Sequence, residues 1–530
     1  MARSRGGPPQ ANRGSGKFND AIRILALSSA VLALPVSAAR WEIMPTLQID
    51  EYHTDNVRLA PPGSEESDWV TVVTPGITIN ATGPQLKFAF KYAPEGYYYA
   101  YSGDENNRVD HRLKAAGTIE FAKQLLFMDA GAAADQYNES LLNPLTDSNV
   151  NISDNRTTVA SYFVSPYLLR DFGSTFRGEV RWTGSAVRAK GDVAGTDLDS
   201  DSSRADLKFT SGPAYKLFTW DLSYSHESID YIDPGQLDSM LEVATAKARR
   251  LITPTVGILM MGGYESYDLG IAATESEGPK WSAGLDWAPS SRTYAAATAG
   301  RRFYGDAYTF DFRLRTRLTN WRATHTEEVT TSRSEFLVPP TGNTSAQLDA
   351  LFQSRIPDPV ARQRAVQDFI ARTGLSSSLD SPVNFFSNQL FLDKKSQITG
   401  SIVGIRNTLM ATVFRSNREV LVGNVVLPSS AGDFTSSNNI IQTGTNALWA
   451  WRVTARNTFS VDAAYSRNEF PGLDRVDYIK EGRVAITRQF QPRLTGSLTY
   501  RRQQQDTEEA GINSVLFRES TVSAYVLMRF

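Results

Sequence analysis

The chain has 530 residues, no cysteine, and 55 Lys and Arg against 57 Asp and Glu, which gives a formal net charge of −2 at pH 7. Such a balanced charge does not indicate a nucleic-acid partner. The lack of cysteine excludes disulfides, cysteine-ligated metal sites and thiol catalysis. Beyond residue 34 no apolar run approaches the ~20 residues that a membrane helix needs, so this chain can span a membrane only with strands.

The N-terminal segment has the layout of a secretory signal. Basic residues from Arg3 to Arg23 precede an apolar run at 24–34, and small residues follow at 35–39. The run is too short for a membrane anchor, so we predict a signal peptide at 1–39 and a mature domain at 40–530.

After the signal, segments with apolar and polar residues in strict alternation recur to the end of the chain. This period of two predicts β-strands. In chain order they are 41–59, 69–81, 86–93, 109–121, 125–137, 157–169, 176–182, 205–209, 220–227, less clear strands within 241–267, then 281–287, 293–303, 308–318, 321–331, 397–406, 409–416, 441–453, 459–466, 479–489, 494–502 and 515–530. With the less clear segments they number about 22, an even count of the kind that bacterial outer-membrane barrels have.

The strand at 308–318 shows what the two faces touch. One face carries Tyr308, Phe310, Phe312, Leu314 and Leu318, and the other carries Thr309, Asp311, Arg313, Arg315 and Arg317. All nine Trp residues lie in or beside predicted strands, as aromatic girdles would place them. The final strand ends on Phe530, which resembles the C-terminal signal read by the barrel-assembly machinery. We therefore predict an all-β protein, a transmembrane antiparallel up-and-down β-barrel in the outer membrane of a Gram-negative bacterium, in contact with its lipid.

Connections between the predicted strands are alternately short and long, which predicts short periplasmic turns and longer extracellular loops. The exception is 304–306, a very short connection where the alternation predicts an outer loop. Its simplest interpretation is a tight outer turn in which Gly305 adopts a positive φ.

The stretch 333–388 breaks the strand period. Helices are predicted at 345–353 and 359–373, with Asp358 as a cap, Pro359 in the first turn and Gly374 at the exit. Strands begin directly after the predicted signal, so we expect this loop insertion or other outer loops, rather than an N-terminal plug, to narrow the barrel. The insertion could constrict the lumen, cover its mouth, dock a neighbouring protein or simply decorate the surface.

The wet faces supply the candidate transport residues. They are Lys87, Lys91, Arg112, Lys114, Asp311, Arg313, Arg315, Arg317 and Arg322. Charged rings set selectivity in pores, so the basic run at 313–322 predicts attraction of an anionic solute or glycan. The alternative is that these arginines are merely paired within a wet lumen. The four His residues are scattered and no catalytic motif is present, so we predict no enzyme, no cofactor and no metal site.

Several motifs resemble those of the outer-membrane β-barrel proteins associated with PEP-CTERM/exosortase and exopolysaccharide gene clusters. They are an aromatic-Thr-Asp-Asn element that includes Asp55 and Asn56, the sequence TPGI at 74–77, WSAGLDWAPSSRT at 281–293, and GRRFYG at 300–305 with Gly300, Arg301, Arg302 and Gly305. The resemblance implies a part in exporting a secreted polysaccharide, alongside periplasmic export proteins. A general or solute-selective porin for uptake and a non-conducting scaffold barrel are the alternative readings.

Overall fold

The computed structural model describes residues 39–146, 148–189, 199–232, 238–268, 276–337, 389–421 and 437–530, together with 383, 385–387, 433–434 and isolated positions between 348 and 369. The predicted signal peptide lies outside these residues except for Ala39. Among the described residues no helix is long and apolar enough to cross a membrane.

The described chain is almost entirely antiparallel sheet. Its strand segments are β1 (Arg40–Thr54), β2 (Asp68–Thr82), β3 (Leu86–Tyr92), β4 (Glu95–Tyr99), β5 (Arg108–Asp110), β6 (Leu113–Ala122), β7 (Leu126–Asn138), β8 (Arg156–Phe172), β9 (Phe176–Ala189), β10 (Ser200–Ser211), β11 (Phe218–Tyr231), β12 (Ser239–Leu251), β13 (Val256–Asp268), β14 (Ser276–Ser290), β15 (Thr293–Arg302), β16 (Gly305–Arg315), β17 (Thr319–Thr331), β18 (Leu390–Val403), β19 (Asn407–Val420), β20 (Asn439–Arg452), β21 (Asn457–Phe470), β22 (Arg475–Gln491), β23 (Leu494–Glu509) and β24 (Ile512–Arg529).

The sheet closes on itself, because β1 pairs with β2 on one side and with β24 on the other. The segments β3 and β4 both pair with β2 and form one interrupted strand, and β5 and β6 form the next. The 24 segments therefore make a closed barrel of 22 strands. The predicted fold class and strand number are confirmed.

The two ends of the barrel differ in their connections. At the end where β1 begins, the turns are only a few residues long, as between β2 and β3 and between β8 and β9. The opposite end carries the longer loops, including 55–67 and 139–155. By the rule for bacterial barrels, the short turns face the periplasm and the long loops face outward.

Side chains alternate between the two sides of the barrel wall. Outward-facing Trp281, Ile398 and Leu498 are more than half exposed, as a lipid-facing belt requires. Six of the tryptophans lie close to the periplasmic ends of their strands, namely Trp41, Trp220, Trp287, Trp321, Trp449 and Trp451. They form an aromatic girdle at the inner interface.

The strand predicted at 308–318 is displaced by three residues. It begins at Gly305 and ends at Arg315 as β16. A two-residue periplasmic turn follows, in which the Thr319 amide donates to Thr316 Oγ1 at 2.9 Å and the Thr316 amide to the Thr319 carbonyl at 2.8 Å. Arg317 therefore belongs to this turn and not to the strand face on which it was predicted. The alternation of residue types continues through the turn and hides this boundary.

A short helix, α1 (Ser332–Leu337), follows β17 directly. It starts the insertion between β17 and β18, and Ser332, Arg333 and Phe336 are buried.

Candidate functional site: the lumen and its inserted loop

The loop between β17 and β18 folds into the barrel. Leu348 and Val366 of this loop are buried against Val403, Met410 and Leu448 of the wall. These three wall residues lie at the periplasmic ends of β18, β19 and β20, whereas the loop leaves β17 at the extracellular end. The described residues of the insertion therefore lie both at the extracellular end of the lumen and in its periplasmic half.

Two helical stretches form the buried tip of the insertion. Helical residues are Leu348, Asp349 and Phe352 in the first stretch and Arg362, Ala365, Val366 and Phe369 in the second. Arg362 joins them, since its Nε donates to Asp349 Oδ1 at 2.7 Å and its Nη1 to the Ile356 carbonyl at 3.1 Å. Phe352 and Phe369 meet edge to face at 5.8 Å.

The insertion divides the lumen into a covered wall and an open wall. The inward-facing residues of β19 from Thr408 to Val420 and those of β20 from Ile440 to Ala450 are buried. Seven inward-facing basic residues elsewhere in the periplasmic half are exposed, namely Lys87, Lys91, Arg177, Lys208, Lys247, Arg313 and Arg322. Three of them have a carboxylate partner, since Arg177 pairs with Asp171, Lys208 with Asp221 and Arg313 with Asp311. The water-accessible part of the lumen therefore lies on the side away from β19 and β20, and it carries exposed cations.

The predicted lysines share one patch of the open wall. Lys91 pairs directly with Lys114 across β3 and β6, and Lys87 stands opposite Thr118. Arg112 lies beside them but is neutralised, because it contacts Glu95 at 3.0 Å and Asp135 at 3.3 Å. Among the described residues no carboxylate lies within ion-pair distance of the three lysines, which leaves this patch positive.

The predicted arginine ladder forms a second patch, on β16 and β17. Arg313 stands directly opposite Arg322 in the ladder of strands, and Asp311 accepts from Arg313 Nε at 3.0 Å. Arg315 Nη1 donates to Gln353 Oε1 of the insertion at 2.5 Å. Arg313 is thus paired within the lumen, as in the alternative interpretation. Arg315 contacts the insertion, and Arg317 lies at the periplasmic rim.

The extracellular mouth is filled by apolar side chains from several loops. Leu141 and Leu145 of the β7–β8 loop, Phe385 of the insertion and Phe434 of the β19–β20 loop meet in one buried cluster. The wall supplies the rest of the cluster, namely Tyr267, Leu390, Phe391, Val420, Ile440 and Phe470. Loops from distant strands therefore meet across the opening.

A carboxylate fastens two of these loops together. Asp433 accepts from Ser140 Oγ at 2.5 Å and from the Leu141 amide at 2.6 Å. Burial raises the pKa of Asp433 to about 6, although both hydrogen bonds act to lower it.

The two roots of the insertion are fixed at the extracellular end. Arg418 of β19 contacts Glu335 at 3.3 Å and donates to the Val383 carbonyl at 3.0 Å, so it holds both the entry and the exit. Burial raises the pKa of Glu335, against the effect of Arg418. Across the lumen, Arg333 Nε donates to Ser200 Oγ at 2.9 Å. Phe336 lies in a buried cluster with residues of β8 and β9.

The motif residues Asp55 and Asn56 hold the seam of the barrel. The Ser520 amide donates to Asp55 Oδ1 at 2.7 Å. Asn56 is fully buried; its Oδ1 accepts from the Ala60 amide at 2.8 Å and its Nδ2 donates to the Arg518 carbonyl at 3.0 Å. Both residues join the β1–β2 loop to β24, which is a structural arrangement rather than a pore-lining one.

The motif at 300–305 builds the short outer hairpin of β15 and β16. Gly305 pairs with Arg302 across a two-residue turn and has φ +125°, a conformation that favours glycine. A Cβ on Gly300 would lie 1.9 Å from the Trp281 carbonyl oxygen. Arg302 contacts Glu265, and Arg301 points outward and is exposed. The motif therefore shapes the rim of the barrel.

The remaining candidates lie apart from the lumen. Phe530 is exposed on the outer face and its amide donates to the Pro45 carbonyl at 3.0 Å. The His53 ring lies beside Trp69 in a tilted arrangement, with ring centroids 4.7 Å apart. No group of three or more His, Asp or Glu placed to hold a metal occurs among the described residues.

Sequence reasoning did not single out Asp433, Glu335 or Arg418. Each makes its contacts with residues far away in the chain, so no local spacing marks it. The sequence offered one signal for such residues. It was a charged residue next to aromatic residues in a predicted outer loop or at the end of a predicted strand.

A closed 22-stranded barrel with an apolar belt and a polar lumen defines an outer-membrane β-barrel, and the protein lies in the outer membrane. No protein-family model and no curated protein matches the chain. Among solved structures, the chain is similar to the ferric preacinetobactin receptor BauA of Acinetobacter baumannii, at 9% identity over 92% of this chain and 81% of that chain, with a TM-score of 0.45. It is also similar to the siderophore receptor PiuA of the same organism, at 9% identity over 92% and 82%, with a TM-score of 0.46. It is similar as well to OccAB3 of the same organism, at 9% identity over 92% of this chain and 100% of that chain, with a TM-score of 0.33.

Proposed function

We propose that the protein is an outer-membrane channel that exports an anionic exopolysaccharide, with the inserted loop as its gate. The division of the lumen supports this proposal most directly. One wall is buried along its depth, and the remaining water-accessible wall carries cations in its periplasmic half.

The charge of the open wall favours an anionic passenger. Lys91 and Lys114 stand opposite each other, and Arg313 and Arg322 do the same on another part of the wall. A low-dielectric barrel wall concentrates the field of such groups in the lumen, which raises the local concentration of anions. A polymer with repeated carboxylates would meet successive cations along this wall.

The size of the barrel suits a polymer once the insertion moves. Barrels of 22 strands are wide enough to hold a plug in other outer-membrane transporters. The insertion occupies that space here, so displacement of its tip would open a path that a narrow porin lacks.

The attachment of the insertion favours opening from the periplasmic side. Its roots are held by Arg418 and Arg333, which are both nearly inaccessible to solvent. Its tip rests on the apolar residues Met410 and Leu448 and on the contact of Arg315. A periplasmic export protein or the arriving polymer would meet the tip first, as an export pathway requires.

The sequence motifs add a second line of support. The element at 50–57 and the motif at 300–305 resemble those of barrels associated with PEP-CTERM/exosortase and exopolysaccharide gene clusters. In this structure both motifs shape the barrel, so the resemblance supports a shared architecture. We infer export as the function that accompanies this architecture.

Ion selectivity tests the channel. We would substitute Lys91, Lys247, Arg313 and Arg322 by Gln and measure reversal potentials in planar bilayers, in a background in which the insertion is shortened to open the pore. The anion-to-cation preference should fall by about threefold or more. The control removes three charges from the outer face, where Arg170, Arg250 and Arg488 are replaced by Gln. An unchanged preference in the lumen variant would overturn the role of the cations.

Secretion distinguishes export from the uptake of small solutes. A strain that lacks the protein should retain acidic polysaccharide in the periplasm, and the wild-type gene should restore its release. Normal secretion with reduced permeability to small anions would instead favour a solute-selective porin, and absence of conductance after shortening of the insertion would favour a scaffold barrel.

A further inference from the structure

The outer face of the barrel carries a basic arc just above the lipid-facing belt. Its members are Arg415, Arg467, Lys480, Arg502 and Arg518, on strands β19 and β21 to β24. All five point outward, since each alternates with residues whose side chains face the lumen.

The register places the arc at the extracellular edge of the apolar belt. The next outward-facing residue towards the periplasm is Val413 on the strand of Arg415 and Tyr500 on the strand of Arg502. Val413 is 53% exposed and Tyr500 is 44% exposed. Two residues along a strand correspond to about 7 Å. The cations therefore lie at the height where acyl chains give way to the headgroups of the outer leaflet.

Three members of the arc have no acidic partner among the described residues. Lys480 contacts Asp506 at 2.9 Å, and Arg467 contacts Glu469. Within the part of the chain that the structure describes, no carboxylate lies within ion-pair distance of Arg415, Arg502 or Arg518. Arg415 and Arg518 are exposed, as is Arg502.

The opposite side of the barrel carries exposed carboxylates at the same end. Outward-facing and exposed acidic residues there are Asp230, Glu242, Asp268, Glu277 and Asp306, on strands β11 to β16. The outer face on the arc side also carries carboxylates. Two of them are paired, Glu469 with Arg467 and Asp506 with Lys480. What distinguishes the arc is its three arginines that have no carboxylate partner among the described residues, and these point to an anionic ligand.

We propose that the basic arc binds the phosphates of an outer-leaflet glycolipid, the lipid A part of lipopolysaccharide. Arginine side chains match phosphate geometry and form charge-assisted pairs with it, and clustered cations next to an apolar surface suit an anionic headgroup whose acyl chains lie on that surface. The acyl chains would contact Val413 and Tyr500, while the arginines hold the phosphates.

Lipid binding by the purified full-length chain tests the arc. The variant R415Q/R502Q/R518Q and the wild type would be titrated with bisphosphorylated lipid A in neutral detergent, followed by native mass spectrometry. The wild type should bind, and the variant should bind about tenfold or more weakly, since it loses three charge-assisted contacts. The control R170Q/R250Q/R488Q removes the same charge at the periplasmic end and should bind like the wild type.

Equal affinity of the arc variant and the wild type would overturn the proposal, as would an equal loss in the control. A second measurement uses only the wild type, so it tests the proposal even if the variant fails to fold. The wild type should bind bisphosphorylated lipid A more tightly than dephosphorylated lipid A. Equal binding of the two lipids would also refute the arc. None of these results depends on whether the lumen conducts a polymer.

Discussion

Arg302 and Glu265 form a two-point ion pair across the inner wall, although β14 separates their strands. Arg302 Nε lies 2.8 Å from Glu265 Oε1 and its Nη2 lies 2.6 Å from Oε2. Glu265 is fully buried, and Lys280 also contacts it at 3.6 Å. The pair fixes the short β15–β16 hairpin beneath the taller strands on either side.

Removal of Arg302 should therefore destabilise the barrel strongly. Arg302→Met leaves the buried Glu265 with only longer contacts, to Lys280 and to the Tyr267 hydroxyl, which donates to it at 3.4 Å. Breaking a buried pair in this way costs roughly 3–5 kcal/mol. Urea unfolding in lipid vesicles would measure the loss. The neighbouring Arg301→Met is the matched control, because Arg301 is exposed on the outer face, and a change within about 0.5 kcal/mol is expected there.

The triple variant R302M/E265M/K280M should recover most of the stability lost in R302M. It removes the charge that the single variant leaves unpaired in a buried site, and it also removes the charge of buried Lys280, which would lose its carboxylate partner with Glu265. If the triple variant were no more stable than R302M, the loss would come from packing around the hairpin and not from the charge.

The strands of this barrel could be predicted from sequence because their rule is local. Alternation of apolar and polar residues marks nearly every strand, and the predicted number agrees with the 22 observed. The boundary of β16 could not be predicted, because Thr316 and Arg317 continue the alternation into a turn. Turn geometry depends there on Thr316 Oγ1, which a residue pattern does not show.

The lumen could be predicted only in part. Alternation was enough to place Lys87, Lys91 and Arg313 on the wet face. It could not show which wall the insertion covers, because Leu348 and Met410 meet through the fold and not through spacing in the chain. The same reason hid Arg418, which holds both ends of the insertion.

Asn56 should be required for a tight seam between the first and last strands. Asn56→Ala removes a buried side chain and leaves the amide of Ala60 and the carbonyl of Arg518 without this partner, at a cost of about 1–3 kcal/mol in total. Folded and unfolded barrels migrate differently on gels, so the temperature at which the folded band disappears would show the change. Thr71→Ala on the neighbouring strand, where the side chain donates to the partly exposed Glu51, should have a smaller effect. A variant as heat-resistant as the wild type would contradict the role of Asn56.

Excision of the insertion should open the pore without loss of the barrel. The two ends of the loop meet at the Phe336 and Phe386 rings, whose centroids are 5.4 Å apart, so a short Gly-Ser linker can replace 338–384. The covered wall of β19 and β20 would then face water. Single-channel conductance in planar bilayers should rise several-fold.

A variant of the tip separates gating from excision. Phe352→Ser weakens the apolar contact of the tip while the roots at Arg333 and Arg418 stay intact. It should increase the frequency of openings and leave their size below that of the excised channel. Equal conductance in the wild type and the excised variant would show that the insertion does not limit flow.

Acidification should close the extracellular mouth through Asp433. Its pKa is raised by burial to about 6 in the closed arrangement, from an ordinary value of 3.8. The closed form therefore takes up a proton that the open form does not, so closure gains stability as the pH falls from about 6 towards 4 and loses it as the pH rises through that range. Two pKa units correspond to at most ~3 kcal/mol.

Conductance of the excised channel, measured as the extracellular pH is lowered from about 7.5 to about 4.5, should fall in steps as the outer loops close. The amide side chain of Asp433→Asn keeps an oxygen that accepts from Ser140 and Leu141, but it cannot take up a proton. The conductance of this variant channel should therefore be low at every pH, without the change that Asp433 causes. Asp474→Asn is the control, since Asp474 is exposed in another outer turn, and it should behave like the parent channel. A conductance that rises on acidification would show that Asp433 opens the mouth when it is protonated, which contradicts the sign derived from its burial.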